Sequence, residues 1–531
     1  DLVRSRGLGD VYKRQLTKNS YKKHLYLKTL SLSAAVLLAV IAQGQNVRAD
    51  GLDNSDKAPT NDSPAATVTS PQSSDNAISA TTPSENTSDN KVTTSTDDSN
   101  NSQSPQTTEN PVNPTTTTAT TVEAPKDASN DKEVQLADST VYMSEKNVVE
   151  DTIPEQAKQT GKITWKLDDK PIDEWRTWNM EKGTFTGDSF VTATDKVEGN
   201  DLKVSLNFDA LFGEDLSLRS PNNIRKTYRN FIGKHELVGT SEDLSLTIRK
   251  NIILRPYEDF HTHDEMLAAI EKSRQEAQTD RLVQIETIGK SAQGRDVKLG
   301  IISSDQKSID DYLNITNQNS LNKPAEVLAE LKNGTLKYKL PILINNTHAD
   351  EQPAIDIITG LFHTFSTQNQ INFKTTEADG SEKNIQLDVK QLLEKFILLF
   401  DFTENPDGDV ANTRTLANGL DPNRDTGYQA NQETRTVAAL INKWNPIALY
   451  DIHGFIKDFL IEPATPPHDP NFEYDLLADT MVENAHHMGR AGVANSNYKK
   501  YIIPKLDWGN GWDDSFSGYT AVYAMYHGIL G

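Results

Sequence analysis

Two hydrophobic rhythms divide the chain. Between about residues 134 and 256, apolar and polar positions alternate in short runs. They are Ile163-Thr164-Trp165-Lys166-Leu167, the stretch from Phe185 to Val191, Leu202-Lys203-Val204-Ser205-Leu206, and Leu244-Ser245-Leu246-Thr247-Ile248. Alternation of period two, bounded by Gly, Asp and Asn, predicts antiparallel strands, because successive side chains of a strand point to opposite faces. Residues 134–256 therefore read as a small β-rich accessory domain. From Tyr257 onward, apolar runs of strand length alternate with helical spacing, which predicts an α/β sheet. The strands are Leu282–Ile288, Val297–Ile302, Leu340–Ile344, Phe396–Phe402 and Ala448–Ile452. Thr262 with Glu265 three residues on forms a capping box ahead of Met266, Leu267 and Ile270. Further helices are predicted over Pro324–Lys332, Ala354–Phe365, Gln432–Trp444 and Leu476–Met488. Pro353 sits in the first turn of the second of these, where a missing N–H costs nothing.

Neither rhythm extends to the first quarter of the chain. Residues 50–133 are dominated by Ser, Thr, Asn, Asp and Pro, with almost no large apolar side chains. Such a segment cannot bury enough surface to offset the entropy of ordering it, so it reads as a disordered stalk. Before it, Lys18, Lys22, Lys23 and Lys28 precede an apolar run from Leu30 to Ala42, followed by Val47-Arg48-Ala49. That order predicts a secretory signal over residues 1–49, too short and wrongly flanked for a stable membrane span. Asp1 to Gln15 reads as a cloning or assembly artefact. The expected location is extracellular, with cell-surface association as a further option.

The 531 residues contain no cysteine, which excludes a disulfide framework and a thiolate metal site. A net charge of −22 argues against a nucleic-acid partner. Trp165, Trp175 and Trp178 admit two readings, a carbohydrate-binding face or a hydrophobic core, and the core reading is favoured.

The chemistry concentrates at three strand ends. His348 and Glu351 follow Leu340–Ile344 in Asn346-Thr347-His348-Ala349-Asp350-Glu351, and His453 follows Ala448–Ile452 in Asp451-Ile452-His453-Gly454. Two imidazoles and one carboxylate form a catalytic zinc set that leaves one position open. Open α/β sheets place ligands at the carboxyl ends of their strands, so the three converge by topology as well as by residue type. Between them lie Asn405-Pro406-Asp407-Gly408, a turn signal, then Arg414, then Asn423-Arg424. A guanidinium can bind a carboxylate bidentately, so Asn423 and Arg424 read either as a carboxylate fork or as an ordinary surface turn. His261 and His263 read as surface residues flanking a helix start. His486 and His487 are adjacent on a helix, where their side chains diverge.

Taken together, these motifs resemble the zinc carboxypeptidase family, the carboxypeptidase A-like metallopeptidases. The resemblance rests on His348 to Glu351, Asn405 to Gly408, Ala417 to Arg424, Gln432-Glu433-Thr434-Arg435 and Asp451 to Gly454, in that order. It covers residues 257–531 and implies a mixed parallel and antiparallel sheet flanked by helices. It implies Zn2+ held by His348, Glu351 and His453, and a substrate C-terminal carboxylate gripped by Asn423 and Arg424. Arg414 is the nearest match to the arginine that polarises the scissile carbonyl, with Ala411 as the competing alignment. Pro422 stands where leucine is more usual. The general-base glutamate of the family is expected past Gly531, on a strand that Tyr526-His527-Gly528-Ile529-Leu530 leads into. The implied activity is a secreted bacterial metallocarboxypeptidase acting on the C-termini of peptides or proteins. Two other readings stay open: a peptidoglycan stem-peptide hydrolase or deacylase on the same zinc site, and a surface adhesin with an inactive peptidase-like domain.

Overall fold

The computed structural model describes residues 132–154, 162–179, 181–212, 227–336, 339–454, 459–463, 473–496, 498–503 and 518–531. The expected signal region and nearly all of the expected stalk lie outside them. Lys132 and Glu133, expected at the end of the stalk, belong instead to the first strand.

Among the described residues, nine strands build the β-rich part: β1 (Lys132–Gln135), β2 (Ser139–Tyr142), β3 (Asn147–Ile153), β4 (Thr164–Leu167), β5 (Lys170–Pro171), β6 (Val191–Glu198), β7 (Asp201–Phe208), β8 (Gly233–Ser241) and β9 (Leu246–Arg255). One sheet runs β1-β9-β8-β4-β5, with β2 also paired to β9, and a second runs β3-β7-β6. The antiparallel expectation holds for most pairs but not for β1 and β2, which both lie parallel to β9. Alternation fixes which face a residue occupies; it says nothing about strand direction. The expected strand from Phe185 is also corrected. β6 begins at Val191, and the preceding aromatics turn inward, with Phe185 edge-on to Trp178 and Phe190 tilted against Trp175.

The tryptophans fill the interior. Trp165 lies so close to Gly239 that a β-carbon there would stand 2.7 Å from its ring. Trp175 is buried and donates its indole N–H to the Leu167 carbonyl at 3.1 Å. Trp178 packs between Phe185 and Phe212. The core reading stands for all three.

The second part opens with a helix over His263–Gln275, capped by the Thr262–Glu265 box read from the sequence. Its sheet has the order β10-β11-β15-β12-β16, where β10 is Leu282–Lys290, β11 Asp296–Ser303, β12 Leu340–Asn345, β15 Phe396–Asp401 and β16 Ala448–Asp451. β10 to β11 to β15 is antiparallel, and β15 to β12 to β16 is parallel. The sheet is therefore mixed, as expected. Alternate residues of the inner strands face opposite layers. Ile342, Ile344, Leu398 and Phe400 pack with Phe362 and Phe365 of the helix Gln352–Thr367. Leu343, Ile397, Leu399 and Leu449 pack with Val437, Ile441 and Trp444 of the helix Gln432–Trp444. Burying both faces is why these strands read as continuous apolar runs.

A hairpin not expected from the sequence, β13 (Gln370–Thr376) with β14 (Glu382–Asp388), extends from the helix Gln352–Thr367. Its signal was present: Ile371, Phe373 and Thr375 alternate inward, and Asp379-Gly380 makes the turn, with Gly380 at φ 84°. Late in the chain, β17 (Phe459–Leu460) pairs parallel with β18 (Tyr501–Ile502). The helix expected over Leu476–Met488 extends over Asp475–Ala494.

The β-rich and α/β parts touch through specific groups. Arg229 donates to the carbonyls of Asp409, at 3.0 Å, and of Val410. Tyr257, at the start of the α/β part, packs against the β-rich core and donates its hydroxyl to Asp356 at 2.5 Å.

Candidate metal centre

The parallel register places the site. Asn345 pairs with Asp451, so β12 and β16 end side by side and their loops leave together. The first loop carries His348 and Glu351 and passes at Gln352 into a helix with Pro353 in its first turn. The second carries His453. His348 Nδ1 lies 3.1 Å from His453 Nδ1 and 3.2 Å from Glu351 Oε1. His453 Nδ1 lies 2.8 Å from Glu351 Oε2. One ligand atom from each residue falls within 4.8 Å of the others. Donors at about 2 Å from a tetrahedral ion stand roughly 3.3 Å apart, so these three fit a zinc ion in spacing and in kind.

Both imidazoles are oriented from behind. His348 Nε2 meets Asp421 Oδ1 at 2.9 Å, and His453 Nε2 meets Asp451 Oδ2 at 2.9 Å. A proton on each Nε2, donated to its carboxylate, leaves each Nδ1 lone pair facing the centre; such carboxylates fix the tautomer and strengthen the ligand. Asp451 is itself held. Thr347 donates to it through its N–H at 3.2 Å and its hydroxyl at 3.0 Å, and Asn345 through its amide at 3.1 Å.

The charges are mutually compensated. Burial opposes ionisation of Glu351, but the imidazoles of His453 and His348 outweigh it and hold the carboxyl well below the usual range. Burial likewise opposes protonation of His453, yet Asp451 and Glu351 hold its imidazole well above the ordinary value. Arg414 closes the ring of charge, donating to Glu351 Oε1 at 2.9 Å and to Asp421 Oδ2 at 2.8 Å.

Arg414 is delivered by a loop wound around Asn405. The Asn405 side chain accepts from the Gly408 N–H at 2.9 Å and donates to the Thr415 carbonyl at 3.2 Å. Thr413 N–H reaches the Gly408 carbonyl at 2.9 Å. A β-carbon at Gly408 would stand 2.3 Å from the Asn405 amide and 2.6 Å from the Thr413 carbonyl, so only glycine fits. The sequence Asn405-Pro406-Asp407-Gly408, expected as a turn, starts a short helix over Pro406–Ala411, with Pro406 in its first turn and Asn405 as its cap. Ala411 ends that helix, whereas Arg414 touches the site; the structure favours Arg414 over Ala411 for contact with the ligands.

Asn423 and Arg424 lie on the same support. Pro422–Arg424 is a 3-10 turn capped by Asp421, whose carboxylate accepts from the Asn423 N–H at 2.9 Å. Pro422 thus fixes the turn that follows the partner of His348. The Asn423 side-chain oxygen accepts from the Thr520 N–H at 3.0 Å, which turns its amide nitrogen away from that contact. The Arg424 guanidinium stacks over Tyr519, 4.5 Å from the ring centre.

Other expectations change. His263 is not at the surface: it is buried and meets Asp409 at 2.8 Å. His261 is partly buried against Asp356 at 3.0 Å. His486 and His487 diverge as expected, one to the Tyr501 hydroxyl and the other towards Arg490 and Glu483. The orienting roles of Asp421 and Asp451 were missed. Asp451 was legible as the neighbour of a candidate ligand, but Asp421 is 73 residues from the histidine it supports. Asp401 and Glu404, at the end of β15, were missed as well. Both are fully buried. Burial, with the Asp451 charge added, pushes the Asp401 carboxyl up to about 8. Burial and then the charges of Asp401 and Asp451 hold Glu404 well above the ordinary value.

Solved structures similar to the chain include a metallo-carboxypeptidase from Burkholderia cenocepacia, at 13% identity and a TM-score of 0.33, covering 64% of this chain and 70% of that one. Another is carboxypeptidase A from Helicoverpa armigera, at 15% identity and a TM-score of 0.33, covering 64% of this chain and 80% of that one. No curated protein matches the sequence. Residues 266–521 match the model of the zinc carboxypeptidase family, and the span contains all three converging ligands, so this chain carries a zinc carboxypeptidase domain.

Proposed function

We propose that the chain is a zinc-dependent metallocarboxypeptidase that hydrolyses the C-terminal peptide bond of peptides or proteins outside the cell. One observation carries the reading: Asp421 ties His348 to the loop bearing Asn423 and Arg424, which puts a metal set and a carboxylate fork on one support. His348, Glu351 and His453 would hold the ion. When bound, zinc supplies a Lewis acid and lowers the pKa of water from about 16 towards about 7. Arg424 and Asn423 bind the free carboxylate of the substrate. A guanidinium closed against an internal peptide would lose its hydration without gaining a partner, which restricts the site to chain ends. Arg414, held beside the ligands by Glu351 and Asp421, is the residue that would turn an N–H to the developing carbonyl charge; a donor of that kind contributes a few kcal/mol. The charged residues before Leu30 and the small residues before Asp50 support export. Among the described residues no helix is long and apolar enough to cross a membrane.

The test uses the purified full-length protein. It should bind one zinc per chain and release single amino acids from peptides with free C-termini, but not from the same peptides amidated. Zinc binding with no release from either peptide set, but with muropeptide cleavage, would move the reading to cell-wall stem peptides.

A further inference from the structure

The β-rich part buries one charged pair that breaks its own alternation. Along its inward face β9 presents Leu246, Ile248, Lys250, Ile252 and Leu254, and Lys250 is only 2% exposed. On β3 the inward row is Val149, Asp151 and Ile153. β9 belongs to the larger sheet and β3 to the three-stranded one, so the two residues meet between apolar faces. Lys250 Nζ stands 2.9 Å from Asp151 Oδ1 and donates to the Ala137 carbonyl at 2.6 Å. Asp151 Oδ2 is buried and has no hydrogen-bond partner among the described residues.

As an ion pair this arrangement is costly. Lys250 has left water, the Asp151 side chain is 14% exposed, and its buried Oδ2 has no donor among the described residues to replace water. An amide in the same place would carry no charge, and the nitrogen is already held against the carboxyl group between apolar faces. We propose that Lys250 and Asp151 condense into an intramolecular isopeptide bond that joins the two sheets; the structure holds them as the reactant pair. The Nζ–Cγ bond forms and the Cγ–Oδ2 bond breaks. Oδ2 departs with two of the ammonium protons as one water. The two charges cancel, and nothing is oxidised or reduced. The Ala137 carbonyl orients the nitrogen. The bond would close a loop between residues 99 apart in sequence, restraining the unfolded chain as a disulfide would in a protein that has no cysteine.

Peptide mapping of the full chain by mass spectrometry tests this on the unmodified protein, independently of whether any variant folds. The chymotryptic peptides containing Asp151 and Lys250 should be recovered as one linked species, lighter than their sum by one water, about 18 Da. Asp151→Asn should form the same link with loss of ammonia, about 17 Da. Lys250→Arg, which keeps the cation but cannot form this amide, should yield two separate peptides. Recovery of separate wild-type peptides at full mass, after prolonged incubation of the folded protein, would overturn the proposal.

Discussion

The two parts of the molecule bury charge in opposite ways. In the β-rich part, Lys250 and Asp151 pair between apolar sheets and leave one oxygen without a partner among the described residues. At the carboxyl edge of the α/β sheet, His348, Glu351, His453, Asp421, Asp451 and Arg414 form a ring in which each carboxylate meets an imidazole or guanidinium nitrogen within 3.2 Å. An isolated buried pair is poor at stabilising a fold. A closed ring can stay buried while its members remain aimed at a common centre, which is what a preorganised site requires.

The largest effect should separate the two parts. His453→Ala removes a ligand from the ring and touches nothing in the β sandwich. Zinc affinity should fall more than about 100-fold, beyond the range seen for outer partners, while the melting of the β-rich part stays unchanged. Zinc titration with calorimetry reads both; wild-type affinity in this variant would break the contrast.

The next test concerns pH. Asp401 is neutral in the fold up to about pH 8 but ionises near 4 once unfolded. Between those values the folded state binds the extra proton, so stability falls as pH rises through the window and levels off above it. Asp401→Asn should flatten that slope and stabilise the protein at pH 8 by on the order of a few kcal/mol. Thermal melts from pH 4 to 9 decide it; an unchanged slope would mean that the carboxyl is already ionised in the folded chain.

Arg424→Ala should lower kcat/KM for free C-termini by about 10- to 100-fold, the worth of a charged hydrogen bond, and leave zinc content intact. Equal loss on free and amidated peptides would remove the carboxylate fork from the account. The smallest effect is expected at the junction: Arg229→Ala should cost about 1–2 kcal/mol. If the two parts then melt separately, this contact is what couples them.

The legible and illegible features divide along physical lines. His348, Glu351 and His453 could be read because each follows a run that must be a buried strand, and strand ends are where such sheets bind ligands. The helix Gln432–Trp444 was readable from its apolar spacing and is observed with those bounds. The pairing of Asp421 with His348 could not be read, because local patterning carries no information about a contact made by folding. The same holds for β1 and β2 lying parallel to β9, and for His263, whose partner Asp409 is 146 residues away.

The winding of residues 405–415 on themselves has a practical consequence. Arg414 owes its position to a hub and spoke assembled from Asn405, Gly408, Thr413 and Thr415 rather than to the hydrophobic layers around it. Its aim should survive repacking of the surrounding layers, and should fail on the addition of one methyl group at Gly408.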